Sequence, residues 1–271
     1  MQMLISYLSL PFVEHALIAT VLIALTAGLI GPFVIMRRMA FAVHGTSELA
    51  FTGAAGGLLL ANNPVAGAFA GALIVAGLIG LLGGRERERD ATIGVILAFG
   101  LGLGVLLLSL YHGFAAEATS ILFGNIFGVS SGQLWMLCSI AALSAVTLVL
   151  IYRPLLFASV DAEVAAAKGV PVRLLGYMFL FLLALGVTAA AQIVGTLLVL
   201  SLAITPAAAA QRWSASPVRV TVLSICFALL AGLGGLLISL EFSSAKASVC
   251  ISGLSFVIYV VSRLWTRRRI L

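Results

Sequence analysis

The chain has 271 residues, of which 62% are hydrophobic and only 9% charged, and its mean hydropathy is +1.23. Soluble domains are about 25% charged, so this composition excludes a soluble globular protein. The apolar runs are about 20 residues long, which is the length a helix needs to cross a bilayer, whereas β-barrel strands would give segments of about 10 residues. We therefore predict an all-α polytopic membrane protein.

Nine apolar segments follow one another along the chain, and each is long enough for one membrane-spanning helix. Turn-forming or charged residues separate them, such as Asn62-Asn63-Pro64 and the run 85–90, which we predict to be a solvated loop. Only Ala191 and Gln192 divide the sixth segment from the seventh, so eight spans are the alternative. We expect residues 1–271 to form a single transmembrane domain. The predicted segments are 12–36, 39–60, 65–83, 91–111, 133–152, 174–190, 193–210, 220–240 and 247–265.

The basic residues predict how these helices cross the membrane. If the loops alternate between the two sides, fourteen of the fifteen Lys and Arg residues fall on one side, and only Lys246 falls on the other. By the positive-inside rule the crowded side is cytoplasmic, so the N-terminus lies outside and the C-terminus lies in the cytoplasm. The net charge of +6 therefore indicates membrane topology, and we expect no nucleic-acid partner.

Two ionisable residues interrupt the second segment. His44 and Glu48 are four residues apart, so on a helix they lie on the same face. Ionisable groups are costly in lipid, and they therefore tend to face a partner or a transport pathway. Glu48 lies nine residues beyond Met39, about 14 Å of helical rise, which places it near the middle of the hydrocarbon layer. We predict that the pair binds a transported metal ion.

An imidazole nitrogen and a carboxylate oxygen suit Zn²⁺, and they also suit Mn²⁺ or Fe²⁺. The three cysteines are scattered without CxxC spacing, so we expect neither a thiolate site nor copper(I). Two other interpretations remain open: the pair forms only a structural hydrogen bond that ties neighbouring helices together, or it relays protons. The sequence contains neither HExxH nor GxxxxGK[ST], which argues against an intramembrane zinc protease and against ATP hydrolysis by this chain.

A short helix is predicted in the longest polar connection, between the fifth and sixth segments. Ser159 is the expected N-cap, Asp161 and Glu163 fall in the first turn, Lys168 falls in the last turn, and Gly169 ends the helix. An ordinary surface helix would show the same pattern.

Two further segments have predicted local structure. Residues 112–129 are too interrupted to span, so we predict a loop or a partly inserted piece that lines a cavity. Pro206 lies inside the seventh segment, where a proline frees a carbonyl group and is expected to kink the helix.

Three stretches resemble the membrane permease subunits of bacterial zinc- and manganese-type metal ABC importers. Residues 31–39 (GPFVIMRRM) precede the ligand-bearing helix as in that family, and 194–210 (VGTLLVLSLAITPAAAA) is similar to its Leu-rich run ending in Pro-Ala-Ala. Residues 161–169 resemble the cytoplasmic coupling helix, which implies that Asp161, Glu163, Lys168 and Gly169 contact an ATP-binding subunit. The family has Asp followed by His four residues later, whereas this chain has His44 followed by Glu48.

The resemblance implies the permease subunit of an ATP-driven importer of divalent metal ions in the bacterial plasma membrane. We expect zinc first and manganese or iron second, with no permanently bound cofactor and no enzymatic activity of the chain itself. The resemblance also implies that the chain forms a homodimer and that it works with an ATP-binding subunit and an extracytoplasmic metal-binding protein. An ATPase-independent metal carrier and a permease for a larger chelate are the alternatives. The implied outer relay consists of Glu14, His15, His112 and Glu117, and the acid before the last span would be Glu241.

Overall fold

The computed structural model describes residues 11–83, 86–111, 124, 126–242 and 245–267; the side chains of 86–88, 197 and 267 are not among those described. The described residues form ten α-helices and one short 3₁₀ turn at Ile126–Gly128, without β-strands. The helices are α1 (Pro11–Met36), α2 (Ala40–Ala61), α3 (Pro64–Leu82), α4 (Glu86–Ser109), α5 (Ser131–Val160), α6 (Ala162–Ala167), α7 (Val172–Val194), α8 (Thr196–Trp213), α9 (Pro217–Glu241) and α10 (Ala247–Arg267).

Each of the nine predicted segments coincides with a long helix, which confirms the all-helical fold. Among the described residues, seven of these helices are long and apolar enough to cross a membrane. The other two, α2 and α8, are more polar because α2 carries the His44 and Glu48 side chains and α8 ends in Gln211 and Arg212. Both helices contact several other helices of the bundle, so less of their surface needs a lipid-like composition. The number of crossings and their direction remain predictions.

Three predicted boundaries are wrong, and each difference has a reason in the packing or backbone conformation of the folded chain. The charged run 85–90 is not wholly a loop, because α4 begins at Glu86 and Arg89 donates hydrogen bonds to the carbonyl groups of Arg37 (2.6 Å) and Arg38 (3.1 Å). Those carbonyl groups lie at the end of α1, where the last turn of a helix needs donors from elsewhere. The break between α7 and α8 falls at Gly195, not at Ala191 and Gln192, because Gly195 adopts a φ of +86° that favours glycine.

The third difference is the length of α5. It was predicted to end at residue 152, but it continues through Pro154 to Val160. Leu155 and Ala158 in this extension are buried, so packing compensates for the hydrogen bond that the proline cannot donate. The extension carries α6 beyond the predicted end of the span.

Glycines allow α2 and α3 to pack with their backbones in contact. A Cβ atom at Gly57 would lie 2.6 Å from Cα of Gly67, and a Cβ atom at Gly71 would lie 2.6 Å from Cα of Gly53. Such close approach is typical of membrane helices, where dispersion contacts between backbones replace the hydrophobic effect. On an adjacent face of α2, Thr52 donates a hydrogen bond of 2.8 Å to the carbonyl of Gly100 in α4. The position of α2 is therefore fixed from two sides.

The α2–α3 contact gives a direct test. A Cβ atom at Gly67 would lie 2.5 Å from Cα of Gly57, whereas one at Gly77, in the same helix, meets nothing within 4 Å. We expect Gly67→Ala to destabilise the protein by about 1–3 kcal/mol through overpacking, and Gly77→Ala to have no such effect. Thermal unfolding of the two purified variants in detergent would measure this, and equal unfolding midpoints would contradict the packing described.

Candidate functional site

The structure brings the predicted pair together on α2. Nε2 of His44 lies 3.5 Å from Oε1 of Glu48, and the side chains are 31% and 23% exposed. The helix is unbroken here, and the hydroxyl of Ser47 donates a hydrogen bond of 2.9 Å to the carbonyl of His44. This contact joins two turns of one helix and does not by itself link α2 to a second helix.

The pair lies on the one face of α2 that its neighbours leave partly uncovered. Helix α4 covers the adjacent face, where a Cβ atom at Gly45 would lie 2.8 Å from the side chain of Ile93, and α3 covers the glycine face. Phe41, one turn before His44, is 38% exposed, and the two rings lie 6.1 Å apart. An imidazole and a carboxylate are thus held side by side and accessible from outside the subunit.

At this point the described part of the chain brings together only two side chains of types that bind metal ions, His44 and Glu48. No group of three or more His, Cys, Asp or Glu residues is close enough to hold a metal ion among the described residues. A divalent ion at His44 and Glu48 would therefore complete its coordination with water or with donors from another chain. Few protein ligands make a weak site, which suits an ion that has to move on.

The predicted outer residues are only partly described. Glu14 is exposed in the first turn of α1, and Glu241 is exposed at the end of α9. Helix α9 runs antiparallel to α1, with Ile225 against Gly28, so both acids lie at the same end of the bundle. Nδ1 of His15 lies 3.1 Å from the carbonyl of Val129 and ties α1 to the segment after the 3₁₀ turn. His112 and Glu117 lie outside the described residues, and the outer relay remains a prediction.

The short helix predicted between the fifth and sixth segments is present as α6, but its N-cap is Asp161 and not Ser159. Oδ1 of Asp161 accepts a hydrogen bond of 2.9 Å from the backbone N–H of Val164, whereas the Ser159 hydroxyl donates to the carbonyl of Leu155 inside α5. Gly169 adopts a φ of +81° and ends the helix as predicted. The N–H groups of Gly169 and the next residue bond back to the carbonyls of Ala166 and Ala165, which is the Schellman arrangement.

Gln192 sits differently from expectation, whereas Pro206 lies inside the helix where it is predicted. Gln192 was predicted in an interhelical link, but it is buried inside α7, and its amide atoms have no hydrogen-bond partner among the described residues. Pro206 lies buried within α8, which continues through it to Trp213. The kink at Pro206 remains a prediction. Helical periodicity that continues past Gln192 toward Gly195 is the sequence signal that would have located the break.

A bundle of long apolar helices is the architecture of a polytopic membrane protein. The family model described as the ABC 3 transport family matches residues 9–266. The chain is 33% identical over 252 residues to the manganese import system permease protein ScaB of Streptococcus parasanguinis, covering 93% of this chain and 89% of the relative. It is 29% identical to the manganese transport system membrane protein MntC of Halalkalibacterium halodurans, covering 97% and 94%.

A solved structure gives the same result for the fold. PsaBC from Streptococcus pneumoniae in complex with Fab superposes with a TM-score of 0.84 at 29% identity, covering 96% of this chain and 94% of that chain.

The chain belongs to the ABC 3 transport family. It is a multi-pass membrane protein and the permease of a metal ABC transporter, a transport component whose ATPase is a separate subunit. The resemblance seen in the sequence is therefore confirmed. The expectation of zinc receives no support from these relatives, and the identity of the ion is taken up below.

The cap of α6 gives a prediction that does not depend on transport. Asp161→Ala removes the acceptor for the Val164 N–H and should destabilise α6 by about 1 kcal/mol. Hydrogen exchange at the amides of 164–167 should then be faster by roughly fivefold, since RT is about 0.59 kcal/mol. Asp161→Asn keeps an acceptor oxygen and should exchange like the unaltered protein. If both variants and the original chain showed equal hydrogen-exchange rates, the role of Asp161 as the N-cap would be contradicted.

Proposed function

We propose that this chain is the permease subunit of an ATP-driven manganese importer in which His44 and Glu48 bind the ion during its passage. The observation that carries the proposal is the His44–Glu48 pair itself, with its donor atoms 3.5 Å apart on the open face of a helix that is otherwise enclosed. An ionisable pair at this depth is costly unless it has a function, because charged groups are poorly solvated in hydrocarbon. Membership in an ABC transport family supports ATP-driven import over a carrier without an ATPase.

Manganese replaces zinc as the preferred ion. Imidazole and carboxylate ligands suit Mn²⁺ and Zn²⁺ alike, so the ligand chemistry permits either ion. The relatives ScaB and MntC are named for manganese, and they align over almost the whole chain. The described cysteines lie away from the pair and provide no thiolate that would favour zinc.

A homodimer would complete the site. His44 and Glu48 on α2 and Ser201 and Thr205 on α8 are partly exposed polar side chains on the two least apolar long helices, which contact each other. Polar groups at this depth have to be shielded from lipid by protein or by water. A second copy of the chain placed over these faces would supply that cover, and it would enclose a pathway between the two subunits.

The direction of transport follows from the predicted topology. With the N-terminus outside, the end of the bundle that carries Glu14, His15 and Glu241 faces a metal-binding protein, which would release the ion there. Helix α6 would then lie in the cytoplasm against the ATP-binding subunit. Its Ala165 is buried against the bundle, whereas Glu163, Val164 and Lys168 are exposed and free for that contact. Movement of the ATP-binding subunits would reach the site through α7, which follows α6 along the chain and contacts α2.

The decisive experiment is transport by the complete complex in liposomes. Replacing His44 and Glu48 together by alanine should lower ATP-driven manganese uptake roughly tenfold or more, because loss of groups that merely support metal ligands already costs 10–100-fold. Glu48→Gln should lose most of the uptake, and Asp90→Asn, which removes an exposed carboxylate at the start of α4, should retain it. Assembly with the ATP-binding subunit should be unchanged in every variant.

The outcomes separate the parts of the proposal. Normal manganese uptake by the double variant would refute the role of the pair. Uptake of zinc without manganese by the original chain would refute the ion assignment while leaving the permease intact. Uptake that needs neither ATP nor the ATP-binding subunit would refute the ABC mechanism.

The coupling role of α6 has its own test. Val164 is 46% exposed, so Val164→Glu places a charge on the surface proposed to contact the ATP-binding subunit. We expect ATP-driven uptake to fall several-fold because burying an unpaired charge at an interface is unfavourable. Val218→Glu introduces the same charge at an exposed valine in the first turn of α9 and should have little effect. Equal losses in both variants would show that the effect is not specific to α6.

A further inference from the structure

A cavity of about 460 Å³ opens at the end of the bundle where α1 connects to α2. It lies between the end of α3, the first turns of α4 and the start of α7. Three arginines from three parts of the chain line it, together with a tyrosine and apolar side chains. The residues that matter are Arg37, Arg89, Arg173, Tyr177, Leu81 and Leu180. From the sequence, these arginines indicate membrane topology, and Arg37 also belongs to the stretch 31–39.

The arginines are held in place by the fold. Arg89 donates hydrogen bonds to the carbonyls at the end of α1, and the guanidinium of Arg37 lies 5.4 Å from the centre of the Phe179 ring. The hydroxyl of Tyr177 donates a hydrogen bond of 3.1 Å to the carbonyl of Gly80 and fixes α7 against α3. Arg173 stands exposed in the first turn of α7. Arg89 and Arg173 therefore lie on helices, and Arg37 lies in the turn directly after α1.

The positive charge of this cavity does not suit a metal cation, which it would repel. The described side chains that line it include three guanidinium groups and no carboxylate. The N-terminus of α7 adds the partial positive charge of a helix start beside Arg173. Guanidinium groups offer forked donors that match phosphate oxygens, so the site is suited to a phosphate-bearing anion.

The surroundings favour a phosphate that carries acyl chains. Leu81, which lines the cavity, is 71% exposed, and Leu174 beside Arg173 is also exposed. Basic side chains beside exposed leucines, at the edge of a helix bundle, suit an amphiphile with an anionic headgroup. Basic pockets between membrane helices on the cytoplasmic side bind such headgroups, and the inner leaflet is negatively charged.

We propose that this cavity binds the phosphate headgroup of an anionic phospholipid from the cytoplasmic leaflet. The proposal takes the membrane orientation given above and is independent of which ion is transported. A lipid bound there would bridge α1, α3, α4 and α7 at the point where the ligand-bearing helix α2 begins. It would thereby stabilise the end of the bundle from which α2 starts.

The test uses the full-length chain purified in detergent, with phosphatidylglycerol as the probe. Native mass spectrometry would measure bound lipid, and thermal unfolding would measure its stabilising effect. We expect phosphatidylglycerol to bind and to raise the unfolding midpoint, and phosphatidylcholine or inorganic phosphate to do neither. Arg173→Gln should weaken phosphatidylglycerol binding about tenfold, the loss expected for one charged hydrogen-bonding group, and Arg173→Lys should restore part of it.

Arg219→Gln is the matched control, because it removes an exposed arginine near the start of α9 and outside the cavity. It should bind phosphatidylglycerol like the original chain. Arg173 is chosen over Arg89 because Arg89 also closes the end of α1, and Arg89→Gln could unfold the protein. Equal weakening in the Arg173 and Arg219 variants would overturn the proposal, as would an absence of phosphatidylglycerol binding. Stabilisation by inorganic phosphate to the same extent would overturn the assignment to a lipid.

Discussion

An imidazole and a carboxylate on one face of α2 have to be kept from lipid, and much of the bundle can be understood from that requirement. Charged groups are poorly solvated in hydrocarbon, so a helix that carries them cannot lie at the periphery. Helix α2 accordingly contacts α1, α3, α4, α7 and α8, and the face with His44 and Glu48 stays partly open where the proposed second copy of the chain would cover it. The outer helices bear the exposed apolar side chains, such as Phe99 on α4 and Leu150 on α5. Polarity increases from the lipid boundary toward α2 and α8.

Small residues make this arrangement compact without a hydrophobic driving force between helices. Backbone contacts at Gly53, Gly57, Gly67 and Gly71 set the distance between α2 and α3, and the Thr52 hydrogen bond sets the position of α4. Both interactions lie farther along α2 than the ligand pair. They hold the helix firmly while leaving the turns at His44 and Glu48 accessible. A rigid support of this kind suits the brief binding of an ion that we propose for His44 and Glu48.

Three arginines and the ionisable pair lie at different points along the bundle. Arg37, Arg89 and Arg173 gather at the end of the bundle from which α2 starts, and the ionisable pair lies further along the helix. Part of this arginine charge completes the end of α1 through hydrogen bonds to its carbonyls. Arg89, which counts toward the predicted topology, thus also closes a helix end, and with Arg37 and Arg173 it lines the cavity that we propose for an anionic lipid.

Hydrophobic periodicity and length determined the all-helical class and the location of all nine long helices, because a run of about 20 apolar residues has few alternatives in a bilayer. The i, i+4 spacing determined that His44 and Glu48 would meet, since that contact is local to one helix. The sequence alone did not locate boundaries that depend on distant partners. Arg89 donates a hydrogen bond to a carbonyl at the end of α1, which favours the early start of α4. Leu155 is buried beyond Pro154, which favours the longer α5.

Only the tertiary structure decided which face of α2 is covered, that Gln192 is buried in α7, and that three arginines far apart in sequence share one cavity. These features arise from contacts between helices that no local pattern of residues encodes.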